Sequence, residues 1–316
     1  MGKENDVILS FLQDNGRFAE LFNCFYFEGR EVIRANELSE AAEVYVSEVG
    51  NRRGRGGQRI RDIKKHLKSG VCLKILAIEA QKEVSYIMPW RIMEYDCLEY
   101  RNQIRNIQRK NSRQEKDKKK VYQNAGERLG KFRKKDRIAP VYTICLYHGV
   151  EEWDGPRCLK DMMDFGPEKA GADREKWEKF FADYPMRLVC ASDFANCPGF
   201  KTSLGDLFAL LPFRKDRMGL KKLLAENPEY QEIDEETAQT ISVLMGIDFM
   251  EKKEQYREEG GYNMCQAIRE MMEESRMEGL LQVAERMLRA GKFTDKEIVS
   301  YSSLSMEQIR ELKERL

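Results

Sequence analysis

The chain has 316 residues, 41% hydrophobic and 34% charged, and a net charge of only +1, so it can bury a substantial core under a heavily charged surface. No apolar run approaches the roughly 18–20 residues that span a bilayer, and the charged start has no signal-peptide core. Eight cysteines, at 24, 72, 97, 145, 158, 190, 197 and 265, form no CxxC pair, and there are two histidines; a zinc site is therefore not expected. Cysteines in apolar runs read as small core residues, and the pattern fits a reducing cytoplasm.

Residues 5–26 carry Val7, Ile8, Phe11, Leu12, Phe18, Leu21, Phe22 and Phe25 at broadly helical spacing, interrupted at Asn15-Gly16, with Glu20 between Phe18 and Phe22. Residues 41–49 alternate and predict a strand. A glycine- and arginine-rich hairpin loop follows over 50–57. A second strand begins within 58–67, around Ile60, Asp62 and Ile63. Residues 71–81 (VCLKILAIEAQ) predict a third. Met88-Pro89-Trp90-Arg91 opens a helix, because Pro is tolerated in a first helical turn, and Arg91, Tyr95, Leu98 and Asn102 continue it. The basic tract 105–120 extends this helix or becomes a solvated loop. The strongest strand is 138–148 (IAPVYTICLYH), and another lies at 186–192. Trp153-Asp154-Gly155-Pro156 marks a turn between them.

Beyond about residue 200 the pattern is helical. An amphipathic stretch ends at Ala290-Gly291, a C-terminal cap, and Thr294 to Glu297 and Ser305 to Gln308 fit capping boxes. The outline is an α/β (α+β) chain: a core over 1–200, a helical extension over 201–275, and a small tail over 276–316. That tail resembles a helix-turn-helix in outline and is a candidate for homo-oligomerisation. Charge is unevenly spread. Residues 101–137 hold fifteen Lys/Arg against four Asp/Glu, whereas 225–280 hold fifteen acids against five bases; the first segment suits phosphates and the second does not.

The chemistry-bearing constellation is Asp62 with Glu79 and Gln81. Strand side chains alternate faces, so Glu79 and Gln81 point the same way, and Asp62 on an adjacent antiparallel strand can join them. Two carboxylates aimed at one point can hold Mg²⁺. Arg52, Arg53, Arg55, Arg59 and Arg61 precede Asp62 within ten positions, and guanidinium forks suit phosphate oxygens. The competing reading of Glu79, on an apolar strand, is a structural ion pair with Arg61 or Arg91.

Taken in order, Arg61-Asp62-Ile63, Ile78-Glu79-Ala80-Gln81, Met88-Pro89-Trp90-Arg91 with Tyr95 and Tyr100, and Pro140-Val141 through Tyr147-His148-Gly149 followed by Glu152-Trp153-Asp154-Gly155-Pro156 resemble the Rpn family of recombination-promoting nucleases and transposase-like proteins, a branch of the PD-(D/E)XK nuclease superfamily. The resemblance runs from about residue 5 to 280. It implies a restriction-endonuclease-like core with a central mixed sheet flanked by helices, binding Mg²⁺ (or Mn²⁺) and cutting DNA, and so a cytoplasmic, nucleoid-associated protein. Asp62 and Glu79 map to the motif acids, Gln81 stands where the superfamily lysine is usual, and Glu20 maps to an additional acid from the first helix. Asp62, Glu79 and Glu20 are then the expected metal ligands. Gln81 is the expected water-orienting group, and Arg91 joins the arginine-rich loop as a phosphate contact. The missing lysine leaves a second expectation, a nuclease-fold scaffold that binds DNA or protein without cutting.

Overall fold

The structure is a computed structural model that describes residues 3–41, 44–46, 58–60, 62–69, 72–117, 121–166, 172–190, 193, 197 and 199–315. The chain divides into two compact units, Met1–Pro212 and Phe213–Leu316.

The first unit opens with α1 (Lys3–Phe11) and α2 (Asn15–Phe27), then β1 (Leu38–Glu40), β2 (Val44–Val46), β3 (Gln58–Ile60), β4 (Ile63–Ser69) and β5 (Cys72–Gln81). It continues with α3 (Met88–Lys116), α4 (Ala125–Gly130), β6 (Val141–Tyr147), α5 (Ala172–Phe180), β7 (Arg187–Cys190) and α6 (Leu204–Leu210). Five strands make a mixed sheet in the order β1-β4-β5-β6-β7. The β1–β4 and β4–β5 pairs are antiparallel, and the β5–β6 and β6–β7 pairs are parallel. A parallel β5–β6 pair needs a long crossover, and α3 supplies it. The two central strands are covered on both faces, which is why Ile75 to Ile78 and Ile144 to Leu146 run as unbroken apolar stretches and are buried.

Adjacent lysines on β4 show what lies on each face. Lys64 Nζ reaches Glu99 of α3 at 3.0 Å. Lys65, pointing the opposite way, is fully buried, and its three ammonium protons meet Gln13 O (2.6 Å), Asn15 Oδ1 (2.7 Å) and Glu40 Oε1 (2.9 Å). So α3 covers one face and α2 the other. Helix α2 starts on an Asp14 side-chain cap to Arg17 N–H and ends at Glu28, which takes a left-handed φ of 55°.

The structure differs from the sequence reading in two places and decides between two alternatives in a third. The strand expected within 58–67 is divided: β3 pairs with β2 in a separate two-stranded ladder, Asp62 sits at a bend, and β4 joins the main sheet. The edge beyond β4 is taken by the short β1 instead. The basic tract stays helical to Lys116, because Asn111 within it is fully buried against the chain that follows. Finally, Cys24 is disulfide-bonded to Cys197, 173 residues away, whereas the sequence reading has only reduced cysteines.

The second unit comprises α7 (Arg217–Glu226), α8 (Glu235–Met245), the ladder of β8 (Arg257–Glu258) and β9 (Gly261–Tyr262), α9 (Met264–Ala290), α10 (Asp295–Ser302) and α11 (Met306–Arg315). Phe249 packs on Tyr256 and Tyr262, each ring centroid 6.1 Å away. Helix α9 stops at Gly291, whose φ of 63° suits glycine. The expected boundary at 275/276 falls inside α9. The two terminal helices close on the end of α9 through Ala284, Ile298, Leu304 and Ile309. Thr294 and Glu297 form a reciprocal capping box, and Ser305 and Gln308 cap α11 in the same way. Among the described residues, no helix is long and apolar enough to cross a membrane.

Candidate functional site

The site forms where the β4–β5 ladder ends. Its last pair is Ile63 with Ile78, so Asp62 falls opposite Glu79, and residues directly opposite on antiparallel strands share a face. Asp62 stands at the bend, past the ladder's last pair. Its Oδ2 accepts the Ala80 N–H at 2.9 Å, supplying a side-chain acceptor where β4 provides no further carbonyl. This bond fixes the carboxylate beside Glu79.

The Glu79 side chain is 0% exposed, and Arg91 Nη2 lies 3.1 Å from its Oε2. Arg91 stands in the first turn of α3, with its guanidinium 6.0 Å from the Tyr95 ring centre and its side chain 27% exposed. Burial disfavours the Arg91 charge, but Glu79, with smaller contributions from Tyr95 and Asp62, holds its pKa above the ordinary value. Arg91 thus lies within the fields of both carboxylates. Across β6, Cys145 is the register partner of Glu79; burial, then the Glu79 charge, drives its thiol pKa up, so it is a neutral wall of the site.

Gln81 follows on the same face as Glu79, half-buried, with its Nε2 on Ala80 O at 2.8 Å. Lys82 turns away and pairs with Glu4 of α1 at 3.0 Å. The structure therefore brings Asp62, Glu79 and Arg91 together, with Gln81 on the same strand face.

Glu20 is not brought to them. It lies on α2, against the opposite face of the sheet, where its carboxylate accepts Lys201 N–H at 2.5 Å, Thr202 N–H at 3.2 Å and the Thr202 hydroxyl. There it lines a cavity of about 180 Å³ with Gly16, Cys24 and Cys197. Its expected place as a metal ligand is replaced by a loop-anchoring one, because the sheet stands between α2 and α3. Arg52, Arg53, Arg55 and Arg61 lie outside the described residues, and of Arg59 only the backbone, on β3, is described.

Two further acids on α3 escaped the sequence reading. Asp96 is buried and accepts bonds from Thr143 Oγ1 (2.8 Å) and the Tyr184 hydroxyl (2.5 Å). Burial and then this bond push the Tyr184 pKa up. Glu99 pairs with buried Lys64, two residues after Asp62 on the same face of β4. The available signal was spacing: Ile92, Asp96 and Glu99 recur at i+4 and i+3 on the face that covers the sheet.

Among the described residues, no group of three or more His, Cys, Asp or Glu side chains is placed to hold a metal ion. Asp62 falls opposite Glu79 in register and Gln81 follows on the same strand face; carboxylate and amide oxygens are of the kind that Mg²⁺ takes with several retained waters. Compared with known proteins, the chain matches no family model, no curated protein and no solved structure.

Proposed function

We propose that the chain is a Mg²⁺-dependent DNA endonuclease whose centre is Asp62 and Glu79. The observation that carries this reading is that Asp62 falls opposite Glu79 where the β4–β5 ladder ends, with the Arg91 guanidinium paired to Glu79 and within the field of Asp62. Two acids have no packing reason to be set side by side on a central sheet, since their repulsion and burial both cost stability. Arg91 shows that the place accommodates positive charge. Asp62 and Glu79 would hold the ion, in a donor set that fits Mg²⁺ in kind.

When bound, the ion supplies charge neutralisation at the scissile phosphate and a more acidic water. The chain's own residues do the remainder. The Asp62 bond to Ala80 N–H keeps one carboxylate fixed at the end of the ladder. Arg91, a quarter exposed and mounted on a helix, is placed to turn from Glu79 to a phosphate oxygen, with its fork matching that geometry. Gln81 orients water by hydrogen bonding but carries no charge, so the developing anion is left to Arg91. Cys145 and Tyr147, buried in the same cluster as Met88, Ile92 and Trp153, exclude water from the other flank.

The test is nicking of supercoiled plasmid with Mg²⁺ by wild type, Asp62→Ala and Glu79→Ala. Wild type nicks and both variants lose at least a hundredfold. Equal cutting by all three removes the assignment. The Arg91–Glu79 ion pair favours a second reading, a non-cutting DNA-binding scaffold in which this pair is purely structural; its mark is a wild type that binds DNA but neither binds Mg²⁺ nor nicks.

A further inference from the structure

The face of α3 that carries Arg91 becomes basic once the helix passes the sheet. At 100° per residue, Arg105, Arg109, Arg113 and Lys116 all fall within about 40° of the Arg91 direction. The distance from Arg91 to Arg113 is about 33 Å along the axis at 1.5 Å per residue, close to one turn of B-form DNA, about 34 Å.

The chain after the helix reinforces this surface. Asn111, fully buried in the second half of the helix, donates to Lys131 O (3.0 Å) and Asp136 Oδ2 (2.8 Å), and Gln108 donates to Gly130 O (2.9 Å). These bonds clamp residues 130–136 along the flank of α3. The acids of the region are largely consumed internally. Glu127 is buried and accepts the Gln123 and Lys134 N–H groups. Asp136 is gripped by Arg133, which holds its carboxyl pKa far down. Glu115 pairs with Arg128 at 2.9 Å. Outward are Arg109, Arg113, Lys116, Lys131, Lys134 and Lys135, all exposed and, among the described residues, in no ion pair.

We infer that this limb, the second half of α3 with the 130–136 segment clamped to it, binds the phosphate backbone of duplex DNA one helical turn from the site. The idea rests on the nuclease reading for its register but not for its binding. A solvated charge run has no reason to be clamped, with Glu127 and Asp136 folded inward, Glu115 paired, only Asp117 of its acids left exposed, and its bases facing out. The straight stripe on one helix face, aligned with Arg91, is what a rod-like polyanion meets. Base readout forms no part of it, since phosphate contacts position the duplex without specifying sequence.

The experiment is fluorescence anisotropy of a labelled 30-base-pair duplex with the full chain in EDTA, where nothing is cut. The triple variant Arg109→Gln, Arg113→Gln, Lys116→Gln is compared with wild type and with a control, Lys292→Gln, Lys296→Gln, Arg310→Gln. The α3 triple weakens binding at least tenfold and lowers the slope of log affinity against log salt by about 2.5, near 0.9 per lost phosphate contact; the control leaves both unchanged. Wild-type affinity and slope in the α3 triple overturn the inference. So does displacement of the duplex by polyglutamate at equal charge concentration, which identifies an acidic protein as partner. Circular dichroism verifies that the triple variant stays folded. Binding that depends on this limb without any nicking in Mg²⁺ retains the surface and sinks the nuclease reading; nicking with binding unaltered in the triple variant does the reverse.

Discussion

Asp62 stands opposite Glu79 one residue past the last pair of the β4–β5 ladder, and Arg91 from the crossover helix lies within electrostatic reach of both. Because Glu79 is fully buried, truncating it strands a largely desolvated guanidinium. Glu79→Ala is expected to cost about 2–4 kcal/mol, read from urea denaturation. The double variant Glu79→Leu, Arg91→Met recovers most of that loss, because two apolar groups remove both charges. A double variant no more stable than the single one refutes the pairing as the source.

Asp62 has a structural and a chemical task, which two substitutions separate. Asp62→Asn keeps an acceptor for Ala80 N–H and leaves stability within about 0.5 kcal/mol; Asp62→Ala orphans that donor and costs about 1–2 kcal/mol. Both lose nicking activity. An active Asp62→Asn shows that the charge at this position is not used.

Gln81 occupies the same strand face as Glu79 but has no charge. Gln81→Lys places a cation beside the developing anion and is expected to raise the single-turnover cutting rate about tenfold. A slower variant means that Arg91 already saturates that role.

His66 is half-buried on β4, and burial, then the neighbouring Lys64 charge, lowers its pKa below 6.5 against an opposing pull from Glu99. A histidine with a depressed folded pKa is stabilised neutral. Its contribution is therefore complete above about pH 6.5 and declines as the pH falls toward the folded value. Stability measured at pH 7.5 and pH 5.5 should drop for wild type and drop less for His66→Gln. Equal drops assign the pH dependence elsewhere.

The Cys24–Cys197 bridge closes 173 residues. In the chain-entropy account a loop of that length restricts the unfolded state by on the order of 5 kcal/mol. Dithiothreitol or Cys197→Ser should lower the melting temperature markedly, and the unfolded, unreduced chain should titrate at least two thiols fewer than its eight cysteines. A full complement of thiols rules the bridge out.

Much of the order of elements in both units was legible in the sequence. Apolar, β-branched runs mark β5 and β6, Pro89 marks the start of α3, and the capping residues mark α10 and α11, because each rests on a local rule. The edge strand β1 carries no such mark: its three residues pair only because β4 offers an open edge. Asp62 and Glu79 were readable as a pair because strand periodicity is two and the connection between their strands is short. Glu20 was assigned to the site through the resemblance, as an acid from the first helix, and neither that nor helical spacing says which side of the sheet the helix covers.

The sequence alone determined the order and type of the main elements, the two-acid constellation, and the basic and acidic segments, since these follow from periodicity, turn chemistry and charge over neighbouring residues. Only the tertiary structure decided that α2 and α3 lie on opposite faces, that Arg91 occupies Glu79, that Asp96 and Glu99 pin α3 to the sheet, and that the basic limb is clamped rather than loose. Those are contacts between residues 12 to 88 positions apart, and which of many acceptable partners a buried charge receives is fixed by packing, not by its neighbours in the chain.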